Sequence, residues 1–346
     1  MHENRETSFV PAKSADRSGK AYGRKTDMNA EEESDCGVKP VNQPNKEAQA
    51  SAEVGEGRPR TKENIGGAHT PPTLSGERVP QGLSGVRQTA REREQEKFTA
   101  LLHHMSVALL RGSFYVLKKN AAPGVDGVSW REYEDGLEDR LTDLHGRVHR
   151  GAYRAQPSRR VFIPKPDGRE RPLGIASLED KIAQQAVVTI LNRIYEGDFK
   201  GYSYGFRPGR SPHQALDALN VGIQRRRVNY ILDADIKGFF DHVSHKWMMK
   251  FLEHRIGDRR VLRLIQKWLK AGVLAAGERL ETTVGTPQGA VVSPLLANVY
   301  LHYVFDLWLE AWRKKVAAGD VVAIRYADDS APRAQRAEEG PMCVTA

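Results

Sequence analysis

The chain has 346 residues, with 53 Lys and Arg against 44 Asp and Glu, a net charge of +9 and a mean hydropathy of −0.57. No stretch approaches the roughly 18 apolar residues of a membrane-spanning helix, and Met1–Glu6 (MHENRE) has no apolar core of the kind a secretory signal needs. The two cysteines, Cys36 and Cys343, exclude a disulfide scaffold or a cysteine zinc site and suit a reducing compartment, the cytoplasm.

Residues 1–97 hold 16 basic and 16 acidic groups and, of the aromatics, only Phe9 and Tyr22, so the whole positive excess lies beyond them. Rich in Gly, Ser, Pro, Glu and Lys, residues 1–90 cannot bury enough apolar surface to offset the entropy of ordering, and they are predicted to form a disordered leader. Arg91 to Lys119 then reads as helix, with Leu101, Leu102, Met105, Leu109 and Leu110 as its apolar positions. Asn120–Gly127 (NAAPGVDG) is a loop by its Pro and Gly content, and a helical stretch follows from about Trp130 to His149. Arg159–Leu173 (RRVFIPKPDGRERPL) reads as two extended runs around a Pro-Asp-Gly turn, a basic hairpin.

Ser177 to Glu196 predicts a strong helix, with Ser177 and Asp180 as a capping box and Ile182, Val187, Ile190, Leu191 and Ile194 on one apolar stripe. Ser211-Pro212 opens another, running to about Arg227, because Pro in the first turn loses no hydrogen bond. Asn229 to Asp235 reads as a strand with Ile231, Asp233 and Asp235 on one face. Helices follow at about His245–His254 and Asp258–Lys270, the latter closed by Gly272. Ser293-Pro294 starts a long helix to about Lys315, and Val321 to Tyr326 is the last strand, ending at Ala327-Asp328-Asp329.

Two strand ends therefore carry carboxylates: Asp233 and Asp235, followed by Ile236-Lys237-Gly238-Phe239-Phe240-Asp241, and Asp328 with Asp329. Acidic residues are depleted in strands. Carboxylates gathered at one point repel unless divalent cations neutralise them, and paired Mg²⁺ ions held by Asp oxygens are a standard device for phosphoryl transfer. Each Asp could equally end a strand in a solvated turn. A third feature, Val284–Pro294 (VGTPQGAVVSP), is a Gly/Pro-rich loop feeding a helix N-terminus, where free N–H groups suit a phosphate, though it could be a plain capping loop.

Together these segments resemble the reverse transcriptases of bacterial group II introns, the retron-type RNA-directed DNA polymerase and maturase family, over about residues 98–329. The motifs stand in the family's order: Asn120–Gly127, Ile163–Ile175 (IPKPDGRERPLGI), Tyr204–Ser211 (YGFRPGRS), Asp235–Asp241 (DIKGFFD), Gly285–Gly289 (GTPQG) with Ser293-Pro294-Leu295, and Tyr326–Asp329 (YADD). The resemblance implies an α+β fold, a right-hand polymerase's fingers and partial palm over residues 91–329 with an antiparallel sheet packed on helices. It implies two Mg²⁺ ions on catalytic Asp235, Asp328 and Asp329, with Ile236 in the same metal set; Asp233 and Asp241 fall outside it. Phe240 matches the bulky residue that excludes a ribose 2′-hydroxyl by clash. Gln288 and Gly289 match the loop lining the incoming nucleotide, and Lys165 and Arg171 match the basic fingers residues that grip its triphosphate. The implied partners are group II intron RNA, a template–primer duplex and dNTPs, held through phosphates by the basic surplus. Arg207 and Arg210 are the candidates for RNA contact; Arg225, Arg226 and Arg227 are candidates too, or simply a charged helix end.

After Asp329 the sequence departs from that pattern. Ser330–Gly340 (SAPRAQRAEEG) has no apolar alternation, and Pro332 cannot donate a ladder hydrogen bond. The return strand is therefore expected to be missing and residues 330–346 to form an aberrant tail. The thumb and maturase domain are expected to be absent unless a second polypeptide supplies them. A metal-bearing turn braced on one side would lose rate steeply, so little polymerase activity is expected of this chain alone. An RNA-binding splicing helper without chemistry, or a non-functional remnant with an exposed sheet edge, are the competing expectations.

Overall fold

The computed structural model describes residues 81–164, 168, 170–225, 230–275, 277–317, 321–330, 333 and 334. The predicted leader lies outside them up to residue 80. Its predicted end at 90 moves, because Gln81–Glu92 forms helix α1 and buries Leu83, Val86 and Ala90 against α5. Those three side chains recur at a spacing of three to four, so the segment does have an apolar stripe to bury.

The predicted helix from Arg91 to Lys119 is broken. Leu101 and Leu102 donate their N–H groups to the Asp258 carboxylate, each at 2.9 Å, and a 3₁₀ turn at Leu102–His104 follows. Helix α2 (Val107–Val116) restarts under a Ser106 cap. The stretch predicted from Trp130 to His149 is also two helices. These are α3 (Trp130–Glu134), with Ser129 and Glu132 in a complete capping box, and α4 (Leu137–His149), which Gly136 enters at φ 73°.

The central element is α5 (Leu178–Asp198). Ile182, Val187, Ile190, Leu191 and Ile194 are sealed from solvent within one continuous core, each contributing about 1.5–3 kcal/mol by burial. Ser177 caps it through the Asp180 N–H. Asp180's own carboxylate, predicted to complete the capping box, instead takes the Tyr153 hydroxyl and the Gln156 N–H.

Strands β1 (Ser158–Pro164) and β2 (Glu170–Ile175) form the basic hairpin. The sheet they belong to is mixed rather than antiparallel, because β5 (Val273–Ala275) joins β1 in parallel and then pairs with β6 (Glu278–Leu280). Helix α6 (Pro212–Arg225) starts at a reciprocal Ser211–Gln214 cap. Helices α7 (Phe239–His242), α8 (His245–Arg255) and α9 (Arg259–Leu269) follow. The long helix predicted from Ser293 is interrupted: α10 (Ser293–Leu301) passes through a π-helical segment, His302–Asp306, into α11 (Leu307–Lys315). Among the described residues no helix is long and apolar enough to cross a membrane.

Three chain segments build two small three-stranded sheets, one of which bears the carboxylates. One carries β3 (Tyr230–Ile231) and β4 (Ala234–Asp235), the second β7 (Val321–Val322) and β8 (Arg325–Tyr326), the third β9 (Asp329–Ser330) and β10 (Arg333–Ala334). The third lies in the middle: β9 pairs with β4 and β8 in the sheet that bears the carboxylates, β10 with β3 and β7 in the other, all antiparallel and in one register. The missing return strand is thus corrected. Backbone pairing at residues 329, 330, 333 and 334 needs neither apolar alternation nor the N–H that Pro332 lacks.

Candidate active site

Pairing register alone brings the acidic residues together. Asp235 of β4 stands directly opposite Asp329 of β9, and Asp329 opposite Tyr326 of β8. Directly opposed side chains on antiparallel strands start about 4.5–5.5 Å apart, and like charges placed so are destabilising. Asp328 sits in the two-residue turn between β8 and β9, after Ala327 at φ 59°. A positive φ at that first central position is where type II′ hairpins favour glycine. An alanine there is strained and must be held.

The electrostatics agree with the register. Burial raises the Asp329 carboxyl above the usual carboxylate range, and the charges of Asp328 and Asp235, a hydrogen bond to Asp235 and the charge of Asp233 raise it further. The four carboxylates share one field, and the side chains of Asp233, Asp235 and Asp329 are open to solvent. Exposed carboxylate oxygens are the donor chemistry of Mg²⁺, which binds through a few carboxylates and keeps several waters. Among the described residues no three side chains already stand at metal-ligating spacing. The carboxylate oxygens are the donor type the ion takes, and the mutual repulsion that raises Asp329 is what a cation would relieve. The Ile236 carbonyl, assigned to the metal set, accepts the Phe239 N–H at 3.2 Å and so closes the turn leading into α7.

The Gly/Pro-rich loop forms a second wall and is tied at several points. The Gly285 N–H donates to the Val243 carbonyl and the Thr286 N–H to the Phe240 carbonyl, each at 2.8 Å. Gly285 sits at φ 84°, and a Cβ there would come within 2.9 Å of the Phe240 carbonyl oxygen. On the other side the Gln288 carbonyl accepts the Gly174 N–H, while the Gln288 side chain accepts from Arg171 Nε at 3.1 Å. The loop therefore links the β2 strand to the segment after Asp235. Arg171 of the hairpin and the Gln288–Gly289 loop, predicted as separate features, come to one place; Lys165 lies outside the described residues. Phe240 is half-buried, packed edge-on against Phe239.

Sequence reasoning missed what lies behind this loop. Gln184 of α5 accepts the Val292 N–H at 3.4 Å, and Asp180, Gln156, Ser158 and Ser293 line a cavity of about 10 Å³, room for one water at most.

One predicted residue is reassigned. Arg207 was expected to contact RNA, but its guanidinium is buried over the Phe199 ring and donates to both Glu196 oxygens and to the carbonyls of Lys200 and Ser203. Four of its five N–H donors are committed within the protein. Arg210 donates to the Gly201 carbonyl and lies over Tyr204, yet remains half-exposed.

A family model described as reverse transcriptase (RNA-dependent DNA polymerase) matches residues 163–344, more than half of the chain. Protein YkfC of Escherichia coli is 36% identical over 218 residues, 59% of this chain and 57% of that protein. Group II intron-encoded protein LtrA of Lactococcus lactis is 36% identical over 226 residues, 64% of this chain and 37% of LtrA. The chain spans little more than half the length of the one and under two-fifths of the other. A solved structure of a partial Cas6-RT-Cas1–Cas2 complex aligns with a TM-score of 0.43 and 21% identity, covering 68% of this chain and 38% of its own.

Proposed function

This chain belongs to the reverse transcriptase family, with relatives among group II intron-encoded proteins, and from that premise we propose that it adds deoxynucleotides to a primer 3′-hydroxyl on an RNA template. The observation that carries the reading is the register that sets Asp235 against Asp329 with Asp328 in the adjoining turn. Asp235, Asp328 and Asp329 would hold divalent metal, which supplies activation of the attacking hydroxyl and charge neutralisation at the reacting phosphate. The protein's own part is position and electrostatics. Arg171, held by the Gln288 side chain, would offer its remaining N–H groups to a triphosphate, while Gly289 lets the loop pack on β2, where a Cβ would come within 3.0 Å of the Gly174 carbonyl oxygen. The Phe240 ring, anchored through its own carbonyl to Thr286, would exclude a 2′-hydroxyl by clash.

The partners under this reading are a template–primer duplex, dNTPs and, given the relatives' names, a group II intron RNA in the cytoplasm. Arg210 keeps a role at the RNA surface. The sheet that bears the aspartates is paired on both sides of β9, which removes the reason for expecting a slack, inactive turn.

The experiment is single-nucleotide incorporation on an RNA template with Mg²⁺. Incorporation is expected from the wild-type chain and should vanish in Asp235→Asn with template–primer affinity retained. Incorporation that survives Asp235→Asn, or wild-type incorporation no greater than background, refutes the reading. The second outcome, with RNA affinity intact, would favour a binding role without chemistry.

A further inference from the structure

Arg325, immediately before the aspartate turn, is 1% exposed, yet it carries a full charge. Its Nε and Nη2 donate to the two oxygens of Asp306 at 2.9 and 2.7 Å, and Asp306 itself is wholly buried. Its Nη1 donates both to the Asn298 Oδ1, at 3.0 Å, and to the carbonyl oxygen of Ala327, at 2.9 Å. A planar guanidinium can serve these partners at once, whereas an ammonium is a single point of charge. Its two side-chain partners come from one interrupted helix. Asn298 lies in α10, and Asp306 ends the π-helical segment, a helical irregularity that recurs at functional sites.

The segment before Arg207 closes the other side. Arg325's backbone exchanges hydrogen bonds with the Tyr202 carbonyl and the Tyr204 N–H, both at 2.8 Å. The Tyr202 hydroxyl donates to the Asp306 carbonyl, and the Gly205 carbonyl accepts the Asn298 amide at 2.7 Å. Gly205 presses on the turn itself: a Cβ there would lie 2.9 Å from Ala327 Cα and from the Tyr326 carbonyl carbon. Within the Tyr204–Ser211 motif, Gly205 and Arg207 thus pack inward.

We propose that Arg325 is the positioning residue of the aspartate turn: anchored by Asp306 and Asn298, it grips the Ala327 carbonyl, keeps Ala327 in its left-handed conformation, and so aims Asp328 and Asp329 at Asp235. The metal-binding consequence rests on the polymerase reading given above; the bracing of the turn does not. A residue held at φ 59° without glycine persists only where its surroundings over-determine it. Here the over-determination is one buried guanidinium and one close-packed glycine.

The test uses the full chain and two readouts, amide hydrogen exchange of peptides covering residues 321–330 and Mn²⁺ binding followed by electron paramagnetic resonance. Arg325→Lys keeps the charge beside Asp306 but cannot reach all three partners. The double variant Arg325→Met with Asp306→Leu removes both buried charges together, which protects folding. In each, the turn peptide should exchange faster while α5 peptides stay protected, and Mn²⁺ affinity should fall roughly 10- to 100-fold, as when a ligand's supporting partner is lost. Adding Ala327→Gly to Arg325→Lys should restore much of the turn's protection, since glycine takes a positive φ freely. Unchanged exchange across the turn in Arg325→Lys overturns the proposal whatever the metal does. So does a double variant that regains wild-type melting, exchange and Mn²⁺ affinity together, which would make the ion pair merely structural. Mn²⁺ binding that survives Asp235→Asn in the wild-type background refutes the metal reading alone, and the exchange comparison still decides the role of Arg325.

Discussion

Tyr153 offers a sharp test of the buried network beneath the Gly/Pro-rich loop. Its hydroxyl donates to the Asp180 carboxylate and accepts from Trp268 Nε1 at 2.8 Å, in a site where all three side chains are buried. Tyr153→Phe keeps the ring and removes both bonds. The indole N–H then has no acceptor, and Asp180 keeps only its bonds from the Gln156 and Ser177 side. Burial already pushes Asp180 up to about 6, against the opposing pull of those hydrogen bonds. Because the folded value lies above that of an unfolded aspartate, about 3.9, the native state binds the extra proton between the two. Asp180's contribution to stability is therefore largest below that window and declines as pH rises through it to about 6. At pH 8 the lost bond is to a charged group and, together with the orphaned indole, should remove about 3–5 kcal/mol; at pH 5 the carboxyl is mostly neutral and the loss should be nearer 2–3 kcal/mol. Urea unfolding followed by tryptophan fluorescence at both pH values measures the difference. A loss that is equal at the two pH values, or larger at pH 5, refutes the assignment of Asp180 as the buried titrating partner.

Two further outcomes follow from the geometry. Arg207→Ala should lower the melting temperature through a loss of about 2–3 kcal/mol, less than for a fully buried pair because Glu196 is a quarter exposed and can rehydrate. Its RNA affinity per folded molecule, measured by filter binding at fixed salt, should match wild type; reduced affinity with unchanged melting would restore the sequence-based assignment. Gly285→Ala forces a Cβ against the Phe240 and Asp241 carbonyls at φ 84°, a strain of about 1–3 kcal/mol. The loop should shift from the segment after Asp235 and raise KM for dNTP more than it changes template affinity, and an unaltered KM would show that the loop's place there is immaterial.

What the sequence revealed and what it concealed divide by the distance over which each cause acts. Ser177, Ser211 with Gln214, and Gly272 were readable as helix ends because a cap bonds within three residues. The aspartates and the loop were readable because their residue types are costly anywhere else. The break after α1 was not, since the segment that follows bonds instead to Arg255 and Asp258, far along the chain, through the N–H groups of Phe98, Leu101 and Leu102. Nor was the fate of Arg207: its charge is visible in the sequence, but the Glu196 carboxylate and two carbonyls that consume it are a matter of folding. The return strand was misread for the opposite reason. Composition argued against it, while a central strand flanked on both sides can pair through backbone alone.

That last point bears on how the site is held. Each strand piece carrying or facing an aspartate is two residues long, too little ladder to fix side chains by pairing alone. The apolar core lies mainly among the helices. Near the aspartates the fixed points are buried polar contacts instead: Arg325 with Asp306 and Asn298, the Gly205 approach to Ala327, and the Thr286 and Gly285 bonds to the segment after Asp235. Hydrogen bonds hold direction where apolar packing holds only proximity, and directional aim is what opposed carboxylates need. A sheet braced in this way should open locally at lower free energy than the α5 core. The aspartate turn is then the first part of the fold to lose its geometry when any one brace is removed, well before the chain as a whole unfolds.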